Sequence, residues 1–282
     1  MPRNDSVIMF GSYKQRSLYG FAQRLRRWLV SVFSSRFLKN QQAYELLLNG
    51  HRYKRLRVPD SYIATQLERN LSVFQDTGIF PQLVRTEGNE LLLEFIEGES
   101  IEKADQQVAE RISSVFAAIY KAKPRWVRTM DIDTTRRTQT NLQFLSNVGV
   151  LDHDTGLKLE KILSDSVPSH VWQGYDYTDA YLKNLIRSHD GKIRIIDVES
   201  IRHDYLLGSG IVKILSTWAG PHREIVFSTL REQCAPDFTE YLTYVELCFL
   251  LNWVAQAYLH GKKKILKMNL FEKFVQEDGS RL

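Results

Sequence analysis

Two periodicities divide this chain. Near its start the apolar positions fall in short, strand-like runs. In "AYELLLNGHRYKRLRV" two such runs flank Asn49-Gly50. That dipeptide is the strongest short hairpin signal, because a type I′ turn needs positive φ at both central positions. "SYIATQLERNLSVFQDTG" follows with helical spacing: Ile63, Leu67, Leu71 and Phe74 share one face and Gly78 ends it. "FPQLVRTEGNELLLEFIEGESI" predicts a second hairpin turning at Glu87-Gly88-Asn89. Its second strand, Glu90 to Ile96, runs into Glu97-Gly98, which reads as a hinge.

Beyond the hinge the period changes. "ADQQVAERISSVFAAIYKAK" places Val108, Ile112, Val115 and Ile119 on one helical face, and "TQTNLQFLSNVGV" and "TGLKLEKILSD" predict two more helices. "NLI" and "KIRII" read as two short strands joined by "SHDG". Further helical segments run to the C-terminus. The fold class expected is α+β with two lobes: a small strand-rich part and a larger helical part. The expected boundaries are 1–38 for an N-terminal helix, 39–98 for the first lobe and 99–282 for the second.

The N-terminal helix is defined by charge as much as by pattern. Residues 6–44 hold no Asp or Glu and seven basic residues, Lys14, Arg16, Arg24, Arg26, Arg27, Arg36 and Lys39. Leu18, Phe21, Leu25, Trp28, Leu29 and Val32 recur among them at helical spacing. Three readings stay open: a helix packed on the body, a helix lying on an anionic membrane surface through residues 14–39, and an organelle-targeting segment.

Composition narrows the function classes. With 43% apolar and 25% charged residues the chain is globular. Its two cysteines, Cys234 and Cys248, form no CxxC pair, which argues against a disulfide scaffold or a structural zinc. The most apolar stretch, "VELCFLLNWVAQAYLHGKKK", is broken by Glu246, Asn252 and Gln256 and stops at Gly261, as a buried helix does. No membrane span and no secretory signal are expected. The net charge of +5 permits an anionic partner. Nucleic acid is not expected, because the N-terminal aromatics follow a helix stripe rather than a stacking platform.

The chemistry gathers in "YTDAYLKNLIRSHDGKIRIIDVES". Asp179 and Asn184 are five apart. Asp197 follows "KIRII", and Glu199 comes two residues later. The "NLI"/"KIRII" hairpin leads from Asn184 to Asp197, so an amide and a carboxylate can offer hard oxygens to one Mg²⁺. Asp179, slightly upstream, can accept the proton of a hydroxyl attacking a phosphoryl group. Asp176 is a rival carboxylate, and the Asp-to-Asn count favours Asp179.

"YTDAYLKNLI" with "IIDVES" resembles the catalytic and metal-binding loops of the protein-kinase-like superfamily. The acid after Asp197 is closest to the aminoglycoside phosphotransferase, choline kinase and lipopolysaccharide core kinase branch. The resemblance covers about residue 40 to the end and implies a two-lobed protein-kinase-like fold. It implies ATP and Mg²⁺ as cofactors. It assigns Asp179 as catalytic base and Asn184, Asp197 and Glu199 to the metal. "EFIEG" resembles the adenine-binding hinge, with Glu94 and Ile96 as its binding positions. On the third strand, "HRYKRLRV", Lys54 is the phosphate-gripping lysine, with Arg55 and Arg57 as rivals, and Glu68 on the next helix is its partner. Asp204 falls where that branch carries a lobe-stabilising acid.

Two departures accompany the resemblance. Tyr177 stands where the catalytic-loop histidine is expected, and residues 34–49 contain no glycine for a phosphate loop. The function expected is an ATP-dependent phosphotransferase acting on a hydroxyl of a small molecule or glycolipid sugar, with lipopolysaccharide core kinases as the analogy. The alternative is a catalytically inactive kinase-like scaffold. The expected location is cytoplasmic, peripheral at the inner face of a membrane.

Overall fold

The computed structural model describes residues 8–10, 42–48, 50–266 and 269–276. The basic helix expected within residues 14–39 lies outside them. The chain forms two compact units, one of residues 1–100 and 185–199, the other of residues 101–184 and 200–282.

The first unit is built on a five-stranded antiparallel sheet of order β1-β2-β3-β5-β4. Its strands are β1 (Ile8–Phe10), β2 (Gln42–Leu48), β3 (His51–Arg57), β4 (Leu83–Glu87) and β5 (Glu90–Glu94). Leu48 pairs with His51 across the predicted hairpin, and Gly50 has φ +78°, while Asn49 lies outside the described residues. Glu87 pairs with Glu90, leaving Gly88 and Asn89 to turn, with Gly88 at φ +57°. Helix α1 (Ser61–Ser72) starts at Asp60, whose side chain accepts from the Ile63 amide at 2.8 Å, satisfying one of the free N–H groups of the first turn. Ala64, Leu67 and Leu71 of α1 and Leu56, Leu91 and Leu93 of the sheet are buried.

A second, three-stranded sheet corrects the expected boundary. Strand β6 (Gly98–Ser100) pairs with β9 (Leu185–Ser188), which pairs in turn with β10 (Ile193–Ile195). Gly98, read as a hinge, is therefore a strand residue. A Cβ there would lie 2.3 Å from the Arg187 carbonyl oxygen, so only glycine lets the two backbones approach. Residues 185–199 thus belong with the first unit, not the second. A boundary drawn along the sequence misses this, because the strand pairing joins positions far apart in it.

The second unit carries α2 (Gln106–Tyr120), β7 (Arg125–Arg128), α3 (Asp133–Asn147), α4 (His153–Ser166), β8 (His170–Tyr177) and β11 (Ile201–Leu206). It continues with α5 (Ser209–Ile214), α6 (Arg223–Glu232), α7 (Leu242–Leu259), α8 (Lys263–Leu266) and α9 (Glu272–Gln276). Its sheet has the order β11-β8-β7. Helix α2 packs on β8 and α6, and α3 packs on α7. Helix α7 lies in the one segment of the described residues long and apolar enough to cross a membrane. Most of that segment is buried, and Arg223 pairs with its Glu246 at 3.3 Å, which is how a core helix is accommodated.

Two acids of this unit differ in burial. Asp204, expected to brace the lobe, has φ +53° and is partly exposed, pairing with Arg125 and, at 2.9 Å, with His203. The buried brace is Asp176. It is fully buried at the end of β8 and accepts from the Tyr177 amide at 2.7 Å, the Gly210 amide at 3.1 Å and the Tyr120 hydroxyl at 3.3 Å. Burial pushes its carboxyl up to about 7, against the pull of those hydrogen bonds. A group so enclosed has no access to a substrate from solvent.

Candidate active site

Strand β8 delivers the chain to Asp179. It ends at Tyr177, and the Thr178 amide then donates to the Ser200 carbonyl at 3.2 Å. The half-buried Asp179 follows, and a tight turn, Leu182–Asn184, brings Asn184 back. The Asn184 side-chain amide donates to the Asp179 carbonyl oxygen at 2.8 Å and to the Asp179 carboxylate at 3.1 Å. The sequence thus places acid and amide five apart, and the turn closes that spacing to hydrogen-bond distance. With its nitrogen committed, Asn184 keeps its oxygen as a donor atom for a cation.

The loop is held from outside. The Tyr181 amide donates to the Asp179 carbonyl at 2.8 Å, and the Trp218 indole donates to the Ala180 carbonyl at 3.1 Å. Lys213 donates to the Tyr181 hydroxyl at 2.7 Å. Tyr177 fills the expected histidine position as a buried packing residue.

In the first unit, Leu185 pairs with Ile195, so the hairpin sets the residue that follows Asn184 opposite a residue two before Asp197. Lys54 lies at the centre of β3, opposite Glu45 and Leu93, on the strand face that buries Leu56. Its ammonium donates to the Ile196 carbonyl at 2.7 Å. Burial lowers its pKa, while Asp197 and Glu199 favour the charged form. Arg55 and Arg57 point to the other face, where both meet Glu90. Period-two alternation separates the three cations and leaves Lys54 as the one beside Asp197.

Glu68 does not meet Lys54. Leu67 takes the buried position on α1, and Glu68, next round the helix, is exposed. Among the described residues the carboxylates acting on Lys54 are Asp197 and Glu199. Glu199 also donates its amide to Asp197 at 3.4 Å, tying the two acids into one turn.

The hinge positions divide. Glu94 is bound by Arg194, whose guanidinium donates to its two oxygens at 2.9 and 2.8 Å, and Arg194 also reaches the Gly78 and Phe80 carbonyls. Those bonds hold the Glu94 carboxyl below its usual range. The Glu94 amide is committed to the Gln82 carbonyl at 2.8 Å, so Glu94 braces the strand. Ile96 has a buried side chain, and among the described residues nothing hydrogen-bonds its backbone.

Among the described residues no three His, Cys, Asp or Glu side chains converge. The donors expected for a metal are, in the first unit, the Asp197 and Glu199 carboxylates and, in the second, the Asn184 amide oxygen. All are hard oxygens, which suits Mg²⁺. A separate concavity of about 660 Å³ in the second unit is lined by Gln139, Leu142, Ser146, Leu157 and Tyr244, and by none of these site residues.

No family profile matches the chain, and no curated protein matches its sequence. Solved structures match it along nearly its whole length. A macrolide 2'-phosphotransferase type I matches with a TM-score of 0.60 at 11% identity, covering 89% of this chain and 95% of its own. The choline kinase LicA from Streptococcus pneumoniae matches with a TM-score of 0.58 at 15% identity, covering 91% and 98%. The chain has the protein-kinase-like fold. An aminoglycoside phosphotransferase from Alicyclobacillus acidocaldarius shares it, with a TM-score of 0.55 at 15% identity over 88% of this chain and 91% of its own. Within the kinase-like fold, the residues that sequence reasoning missed are Lys213 and Arg194. Each is a cation flanked by apolar residues, in "SGIVKILS" and "IRII", and that flanking was their signal.

Proposed function

We propose that this chain is a phosphotransferase that moves the γ-phosphoryl group of ATP to a hydroxyl. The observation that carries this reading is the Asn184–Asp179 pair. A carboxylate at the end of a buried strand is oriented by an amide that keeps its own oxygen free. The acceptor oxygen bonds to the γ-phosphorus as the bond to the β–γ bridging oxygen breaks. That oxygen leaves on ADP with the bonding pair, and the acceptor proton passes to Asp179. Lys54 holds phosphate oxygens, and the Ile96 backbone receives the base. Asp197, Glu199 and Asn184 are the residues that would hold Mg²⁺, which when bound neutralises phosphate charge.

The acceptor is a small molecule or a glycolipid sugar. The basic segment at residues 14–39 supports the second, because seven cations and no acid favour an anionic lipid surface. On that reading the protein works in the cytoplasm, peripheral at the inner face of a membrane.

A thermal melt with ATP and Mg²⁺ tests the proposal first. A rise in Tm, together with ADP release that Asp179→Ala and Asp197→Ala both abolish, is the expected result. No shift at millimolar nucleotide points instead to the non-catalytic scaffold.

A further inference from the structure

Lys213 poses a problem of energetics. It lies on α5, is 2% exposed, and has the Tyr181 hydroxyl as its hydrogen-bond acceptor among the described residues. Three rings surround its ammonium. The Trp253 centroid is 3.5 Å away, that of Tyr181 4.0 Å and that of Phe249 5.9 Å. Burial draws its pKa down to about 7, against the attraction of Asp179, while Lys183 and Lys262 add repulsion. Keeping that ammonium charged in such a site is costly, and the lowered pKa expresses the cost, so the group carries its charge below about pH 7. A methionine would fill the same space without that cost. Packing alone does not account for a lysine here.

Position does. Tyr181, one wall of the cage, is two residues beyond Asp179 and bonded to its carbonyl. Trp253 and Tyr181 are only half-buried, so this cluster borders the surface beside the proposed base. The chain after α5 widens into a single π turn, Leu215–Ala219, an irregularity common at functional sites. Trp218 of that turn is the residue clamped to Ala180. Aromatic walls of this kind are the general means of binding an alkylammonium group. Here the chain supplies that group itself.

We infer that Lys213 is a specificity-determining residue, a resident cation that fills an aromatic cage beside Asp179 and turns away cationic acceptors in favour of neutral or anionic hydroxyl compounds. The inference rests on the phosphotransferase reading for the word acceptor, but the occupied cage can be tested without catalysis.

The test is a titration of the full-length Lys213→Ala protein with tetramethylammonium chloride, followed by tryptophan fluorescence, with sodium chloride as control. Removing the resident ammonium opens the cage. Saturable binding at least about tenfold tighter than in the wild type is expected, and it is lost when Trp253→Leu is added. Equal binding by the wild type, or no binding by a folded Lys213→Ala protein, overturns the inference. If Lys213→Ala melts early, recovery of its Tm by tetramethylammonium and not by sodium supports the cage, and recovery by neither overturns it. Acceptor selectivity is then read with ATP. Wild-type turnover of choline or kanamycin overturns the selectivity. A wild type that binds no ATP contradicts the phosphotransferase reading and leaves the titration to judge the cage.

Discussion

Asn184 directs its side-chain nitrogen onto both the carbonyl and the carboxylate of Asp179, at 2.8 and 3.1 Å. One amide thus fixes the loop and aims the acid. Asp179→Asn keeps an oxygen for that bond and removes the proton acceptor. Phosphoryl transfer should fall by about 10²–10⁴-fold, the usual worth of a positioned general base. The Tm rise produced by ATP should persist. A steady-state assay beside a nucleotide melt separates the two effects.

Lys54 should act on nucleotide and not on folding. Its ammonium sits near Asp197 and Glu199 and bonds the Ile196 carbonyl. Lys54→Met should weaken ATP by on the order of tenfold or more, about 1.4 kcal/mol. Arg57→Met, on the opposite strand face beside Glu90, should leave ATP affinity unchanged. Isothermal titration of the two variants compares the faces of one strand.

Asp176 should make stability depend on pH. Its carboxyl is raised from 3.8 to about 7 in the folded chain. Between those values the folded state holds a proton that the unfolded state has released. Stability from this group is therefore full below about pH 4 and is lost as pH rises through about 7. Asp176→Asn does not titrate. The stability of the wild type relative to Asp176→Asn should fall by several kcal/mol, at about 1.4 kcal/mol per pKa unit, between pH 4 and pH 8. Urea midpoints at the two pH values measure it, and a constant difference would remove the buried acid from the account.

Arg194 should be the costliest cation to remove from the first unit. Its guanidinium makes two bonds to Glu94 and reaches two main-chain carbonyls. Arg194→Met should lower stability by about 2–3 kcal/mol, because the bonds to Glu94 are charge-assisted. Arg85→Met, whose pairing with Glu87 is exposed, should change it by less than about 1 kcal/mol.

Local signals in the sequence translated well. Gly50 and Gly88 both sit at positive φ in the turns their strands require. The Asp179-to-Asn184 count found a pair that the folded chain brings together. What stayed hidden depends on partners distant in sequence. Gly98 read as a hinge because nothing nearby reveals that Ser188 lies across from it. Asp176 and Asp179 look alike as letters, and enclosure by Tyr120 and Gly210 marks Asp176 as the buried one. Glu68 failed as a partner for Lys54 because helical phase, not sequence distance, decides which way a side chain faces.

The pairing of β6 with β9 also bears on how the protein is made. When residue 100 leaves the ribosome, the first unit is incomplete, since residues 185–199 have still to be synthesised. At about 5–20 residues per second, β6 waits several seconds or longer for β9. Gly98–Ser100 spends that interval without the strand it pairs with. Nascent chains stalled before residue 185 should therefore be the ones that most need a chaperone.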